Sequence, residues 1–174
     1  DAVRILEYLE KADPQNCVPV IFSDDKCVGG GMHEAERYAI DKFSGIVGVE
    51  PVYVGQTLSS YVKFYNIKPT KILAIATPEF CTVLSKEGNK LFGDVSAVRR
   101  SASVLVEVTQ KDVSKGNAVA WLGEQLGVPR NEIIAFGDAE NDISMIEYAG
   151  LGVAMGNAMQ ELKDAADIVA DTND

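Results

Sequence analysis

Six consecutive residues, Gly137-Asp138-Ala139-Glu140-Asn141-Asp142, bring together the side chains best suited to chemistry in this sequence. They follow the apolar run Ile133-Ile134-Ala135-Phe136 and lead into Ile143-Ser144-Met145-Ile146. The pattern reads as a buried strand, a glycine turn and the start of a helix. Asp138 and Asp142 are four residues apart, a spacing that sets two side chains on one helix face, one above the other. Carboxylates so placed repel unless a cation sits between them or one of them takes up a proton. Oxygen ligands at the carboxyl end of a strand suit a hard ion such as Mg2+, which takes one or two carboxylates, several waters and a substrate phosphate. The same residues also fit an acidic helix start, with Asp142 meeting the helix dipole and Asp138 in a turn. An EF-hand loop is excluded, because its glycine position holds Ile143 and its glutamate position holds Ala149.

A second candidate is Lys115, in Ser114-Lys115-Gly116-Asn117 at the start of another predicted helix. A cation in the first turn opposes the helix dipole, so the placement suits a phosphate held jointly by the helix start and the ammonium. A solvated lysine is the alternative. Gly150, Gly152 and Gly156 have the wrong spacing for a dinucleotide loop and flank a strand instead of following one. Asn157 reads as a strand terminator.

The whole chain must position these groups. Its 174 residues are 47% apolar, enough for a packed core. A net charge of −10 argues against nucleic acid or an anionic membrane as partner. No apolar run approaches the ~20 residues of a membrane span. Cys17, Cys27 and Cys81 lack metal-site spacing and read as reduced thiols of a cytoplasmic protein. His33 reads as a solvated residue at a helix end.

Hydrophobic periodicity predicts a first helix with Val3, Leu6 and Leu9 on one side, and a hairpin of Val18–Phe22 and Lys26–Gly29 around Ser23-Asp24-Asp25. A helix follows over Met32–Phe43, then an extended piece at Val52–Val54 and a helix at Leu58–Tyr65. A strand at Lys71–Ala76 leads to a helix with Thr77 as N-cap and Pro78 in its first turn. Strands at Val95–Arg99 and Ser103–Val108 complete an α+β layer. Beyond Gln110 helices and strands alternate: Lys115–Leu126, Ile133–Phe136, Asp142–Ala149, Gly152–Ala154, Met159–Ala165 and Ile168–Ala170. That alternation predicts a parallel, Rossmann-like sheet, with a domain boundary near residues 109–112.

Three segments occur in order: Ser114-Lys115-Gly116, then Gly137 to Ile146, then Gly152-Val153-Ala154-Met155-Gly156-Asn157-Ala158. Together with Lys163 to Val169 and Thr172-Asn173-Asp174, they resemble the carboxyl-terminal half of the Cof-type phosphatases of the haloacid dehalogenase superfamily. The resemblance implies an α/β fold in which residues 1–109 form an inserted α+β cap that sets substrate selectivity, and residues 110–174 the last part of a parallel core. It implies Mg2+-dependent hydrolysis of a small phosphorylated metabolite through an aspartyl-phosphate. Asp138 would be a metal ligand, and Asp142 would support the metal directly or through water. Lys115 would neutralise the phosphoryl group and the attacking carboxylate, and Asn141 would contact phosphate.

The family's nucleophile and general acid lie in a D-x-D motif, and no aspartate here has another two positions away. The chain therefore reads as a fragment that begins inside the cap. It is expected to be inactive alone, with a missing N-terminal segment or a second chain completing the core. The alternative is a non-catalytic module that binds a divalent ion or a phospho-ligand through Asp138, Asp142 and Lys115. A receiver-type phosphoaspartate domain would need an earlier acidic pair, which the sequence lacks.

Overall fold

A computed structural model describes residues 1–173; Asp174, the last residue of the motif quoted above, lies outside the described residues. The chain divides into two compact units, Asp1–Lys111 and Asp112–Asp174.

The first unit runs α1 (Ala2–Leu9), β1 (Cys17–Ser23), β2 (Lys26–Gly29), α2 (Glu34–Val47), β3 (Pro51–Tyr53), α3 (Leu58–Tyr65), β4 (Lys71–Ala76), α4 (Pro78–Phe92), β5 (Ser96–Ala102) and β6 (Leu105–Gln110). Its sheet has the order β3-β2-β1-β4-β6-β5, antiparallel except for the parallel β2/β3 pair. Strand alternation divides the side chains between two faces. Ile21, Ile72, Val108 and Val98 stand in register on one face, where Leu6, Leu9, Leu84 and Phe92 of the helices cover them. Val18, Val20 and Leu73 point the other way and meet Ile40 of α2.

Local chemistry explains most boundaries. Thr77 accepts a hydrogen bond from Phe80 N–H at 3.3 Å, and Pro78 occupies the first turn of α4. Both tip residues of the β1–β2 hairpin, Asp24 and Asp25, have positive φ, the geometry of a two-residue turn whose twist matches its strands. Helix α2 starts two residues later and ends four residues further on than its sequence pattern predicts. His33 precedes it, and Gly48 stops it with a left-handed φ of 71°. Val104 lies in the turn before β6, so the alternating valines do not form one strand.

The second unit contains α5 (Lys115–Leu126), β7 (Ile134–Gly137), α6 (Ile143–Tyr148), β8 (Leu151–Ala154), α7 (Gln160–Ala165) and β9 (Ile168–Val169). Strands β7, β8 and β9 form a parallel sheet in that order. Ala135 and Ala154 on one face pack with Ile146, Ala149 and Leu162 from the helices. Ile134, Phe136 and Ile168 share the opposite face and are more than half exposed. Twelve acidic residues against three basic ones give this unit a net charge of −9, almost all of the chain's −10.

Candidate active site

The turn after β7 departs from the geometry that its spacing suggests. Helix α6 begins at Ile143, and a 3-10 turn over Glu140–Asp142 precedes it. Asp138 therefore stands at the strand end, outside any helix, and the two aspartates are not stacked on one helix face. The Asp142 side chain folds back over the strand. Its Oδ2 accepts hydrogen bonds from the N–H groups of Asp138 and Ala139, both at 3.1 Å. Glycine at 137 makes this possible: a Cβ there would fall 2.5 Å from the Asp142 Cβ and 3.2 Å from Oδ2.

Helix α5 supplies the cation. Ser114 caps it, with its hydroxyl accepting from Asn117 N–H at 3.1 Å. Gly116 lies against α6: its N–H donates to Ser144 Oγ at 3.1 Å, and a Cβ would run into the Ser144 carbonyl oxygen. This close approach carries the neighbouring Lys115 to Asp142, and the ammonium forms an ion pair with Oδ1. The aspartate end of the pair is buried, whereas about half of the lysine side chain reaches solvent.

The two carboxylates thus differ in kind. Burial by itself would raise the Asp142 pKa. The Lys115 ammonium and the N–H groups of Asp138 and Ala139 outweigh it and hold the carboxyl below its ordinary range. Asp138 is exposed. Asn141 Oδ1 is buried and has no hydrogen-bond partner. A buried acceptor without a donor is costly, and it suits a cation or a cation-bound water.

The other two cations of this unit serve the fold. Lys163 Nζ donates to the Gly156 carbonyl at 2.6 Å, and Arg130 donates to the carbonyls of Glu147 and Tyr148. Asp167 accepts from Gly152 N–H at 2.7 Å. The structure therefore brings together Lys115, Asp142 and the backbone of Asp138, with Asn141 in the same turn. Sequence reasoning gave no role to Gly116, Ser144 or the Ala139 N–H. A small residue beside Lys115 was the one available signal. Among the described residues, no three His, Cys, Asp or Glu side chains gather as a ready-made metal cluster.

The second unit is thus an α/β protein with a parallel sheet and a lysine-paired aspartate turn at the carboxyl end of one strand. The family description "haloacid dehalogenase-like hydrolase" matches residues 1–174, and the chain belongs to that family. It is similar over 99% of its length to a solved structure from Thermotoga maritima, with 35% identity, a TM-score of 0.70 and 61% of that chain covered. A haloacid dehalogenase-like hydrolase from B. subtilis is 27% identical, with a TM-score of 0.76 and 66% of that chain covered. Phosphatase YwpJ of Bacillus subtilis is 49% identical over 74 residues, 42% of this chain and 26% of that one. The chain spans between 26% and 40% of the length of four curated relatives that it matches.

Proposed function

We infer that the second unit is the phosphate- and metal-handling part of a phosphomonoesterase that depends on Mg2+ and works through an aspartyl-phosphate. The observation that carries this reading is the Lys115–Asp142 pair closed over the strand end where Asp138 stands. Phosphoryl transfer depends mainly on positioning and charge neutralisation, and a unit of net charge −9 needs local cations to admit a phosphate at all. Lys115 meets that need with its half-exposed ammonium.

The residues present fit a bound magnesium ion. Asp138 would hold it directly. The two Asp142 oxygens between them already accept from three donors, so Asp142 would support the ion through water and through its grip on the Asp138 backbone. The unpartnered Asn141 Oδ1 suits a metal-bound water, which leaves Nδ2 to donate to phosphate. When bound, the ion supplies Lewis-acid neutralisation of phosphate charge.

The first unit is read as a cap that selects the substrate, a small phosphorylated metabolite. One relative, 43% identical over 76 residues, is named 5-amino-6-(5-phospho-D-ribitylamino)uracil phosphatase, which is consistent with that class. The nucleophile is assigned to a segment beyond these 174 residues, one that would also cover Ile134, Phe136 and Ile168. Three buried free thiols fit a cytoplasmic setting. The test is hydrolysis of p-nitrophenyl phosphate with Mg2+. The 174-residue chain should show none, and a longer chain carrying the aspartate pair should show turnover that is lost in Asp138→Asn. Turnover by the short chain would mean that the nucleophile is misplaced. Magnesium and phosphate binding without turnover in the longer chain would favour a non-catalytic module.

A further inference from the structure

Side chains close the start of α5. In its first turn the Asn117 N–H donates to Ser114 Oγ and the Gly116 N–H donates to Ser144 Oγ, each at 3.1 Å. These are the amides that a cap ordinarily satisfies and that an oxyanion at a helix start would need. The sequence pattern suits a phosphate held jointly by this helix start and the Lys115 ammonium. In the structure both hydroxyls are already in place, which leaves the ammonium as the group that α5 presents.

Ser144 belongs to a different helix, so its hydroxyl also fixes α5 against α6. A Cβ at Gly116 would fall 2.3 Å from the Ser144 carbonyl oxygen and 3.1 Å from the Ser144 Cβ, so the two backbones touch. Asp142 is the N-cap of the same helix. The start of α6 therefore grips the start of α5 at two neighbouring residues: Ser144 takes the Gly116 N–H, and Asp142 takes the Lys115 ammonium. A lysine stem is flexible, so the place where it is rooted decides which acceptors its ammonium meets.

We propose that Ser144 is a positioning residue for Lys115. Its hydroxyl occupies the Gly116 N–H, keeps the helix start from competing for the phosphate, and roots the lysine where its ammonium serves both Asp142 and the phosphate. What Lys115 does there rests on the phosphomonoesterase reading; where Ser144 holds it does not.

The experiment follows the Lys115 ammonium and the Gly116 and Asn117 amides of the 174-residue chain by NMR, with and without inorganic phosphate. In the parent, phosphate should move the ammonium signal and leave both amides in place. Ser144→Ala keeps the Cβ contact, and unchanged amide signals at residues 151–169 would verify that it folds. It should shift and broaden the Lys115 ammonium signal before phosphate is added, and bring the Gly116 amide into the phosphate response. Ser144→Thr, which retains the hydroxyl, should restore the parent pattern. A parent Gly116 amide that moves with phosphate as far as the ammonium does would overturn this role. So would a Lys115 signal that is the same in the parent and in Ser144→Ala. A parent in which phosphate moves nothing would count against the phosphomonoesterase reading instead, and the Lys115 signals of the three proteins would still decide what Ser144 does.

Discussion

Replacing Asp142 tests whether the turn after β7 is held by its buried carboxylate. Asp142→Ala strips the acceptor from two N–H groups and the partner from Lys115. Hydrogen bonds to a charged group contribute about 1.5–3 kcal/mol each, against about 0.5–1.5 kcal/mol for neutral pairs, and an unsatisfied buried donor costs about 1–3 kcal/mol. Water can reach the site beside the half-exposed lysine, which favours the low end of these ranges. The expected loss is about 3–4 kcal/mol for Asp142→Ala. For Asp142→Asn, which still accepts from the two amides but faces Lys115 without charge, it is about 2 kcal/mol. At ~0.05–0.15 kcal/mol per residue, a unit of this size has roughly 3–9 kcal/mol in total, so the alanine variant loses a large share. Urea titration reads this directly, with circular dichroism for the chain and fluorescence of Trp121, the only tryptophan, for the second unit. Because the native Asp142 pKa is lowered, its contribution is fully present above the ordinary carboxylate range near ~4. It is lost as pH falls through the native value, so parent and Asp142→Asn should converge in acid. An alanine variant within ~0.5 kcal/mol of the parent at neutral pH would show that the buried carboxylate does not hold the turn.

Other outcomes follow from the same geometry. Gly116→Ala should separate α5 from α6 and cost about 1–3 kcal/mol by overpacking, read as a lower urea midpoint of Trp121 fluorescence. Asn89→Ala should destabilise the first unit by about 2 kcal/mol in thermal melts, because its amide pairs with both Val98 N–H at 3.1 Å and the Val98 carbonyl at 2.7 Å. The Cys17 thiol is pushed up to about 12 by burial and by nearby Cys81, so the native chain should resist iodoacetamide at pH 8 and react once unfolded in urea.

Much of the fold was legible where local chemistry and the buried pattern agree. Helix α3 at Leu58–Tyr65 and α5 at Lys115–Leu126 have the predicted ends, the latter because Ser114 caps it and Gly127 closes it. The acidic hairpin tip was legible from its turn residues. The parallel pairing of β3 with β2 was not, since it depends on contacts distant in sequence. In the site, the nearness of Lys115 to the aspartate turn is what the family resemblance implies, but the ion pair with Asp142 and the inward fold of that carboxylate are not. Spacing of four implies stacked carboxylates only if the helix has begun by Asp138. A 3-10 turn and the missing Cβ of Gly137 let Asp142 turn inward, and no periodicity carries that information.

The strand end at Asp138, beside Lys115, is proposed to receive a divalent cation. Adding Mn2+ as a paramagnetic substitute for magnesium and recording amide broadening tests it most directly. Residues 137–142 should broaden first, more strongly with inorganic phosphate present, and Asp138→Asn should abolish this. Broadening that begins at the Asp24-Asp25 turn, or elsewhere on the acidic surface, while residues 137–142 stay sharp would contradict it.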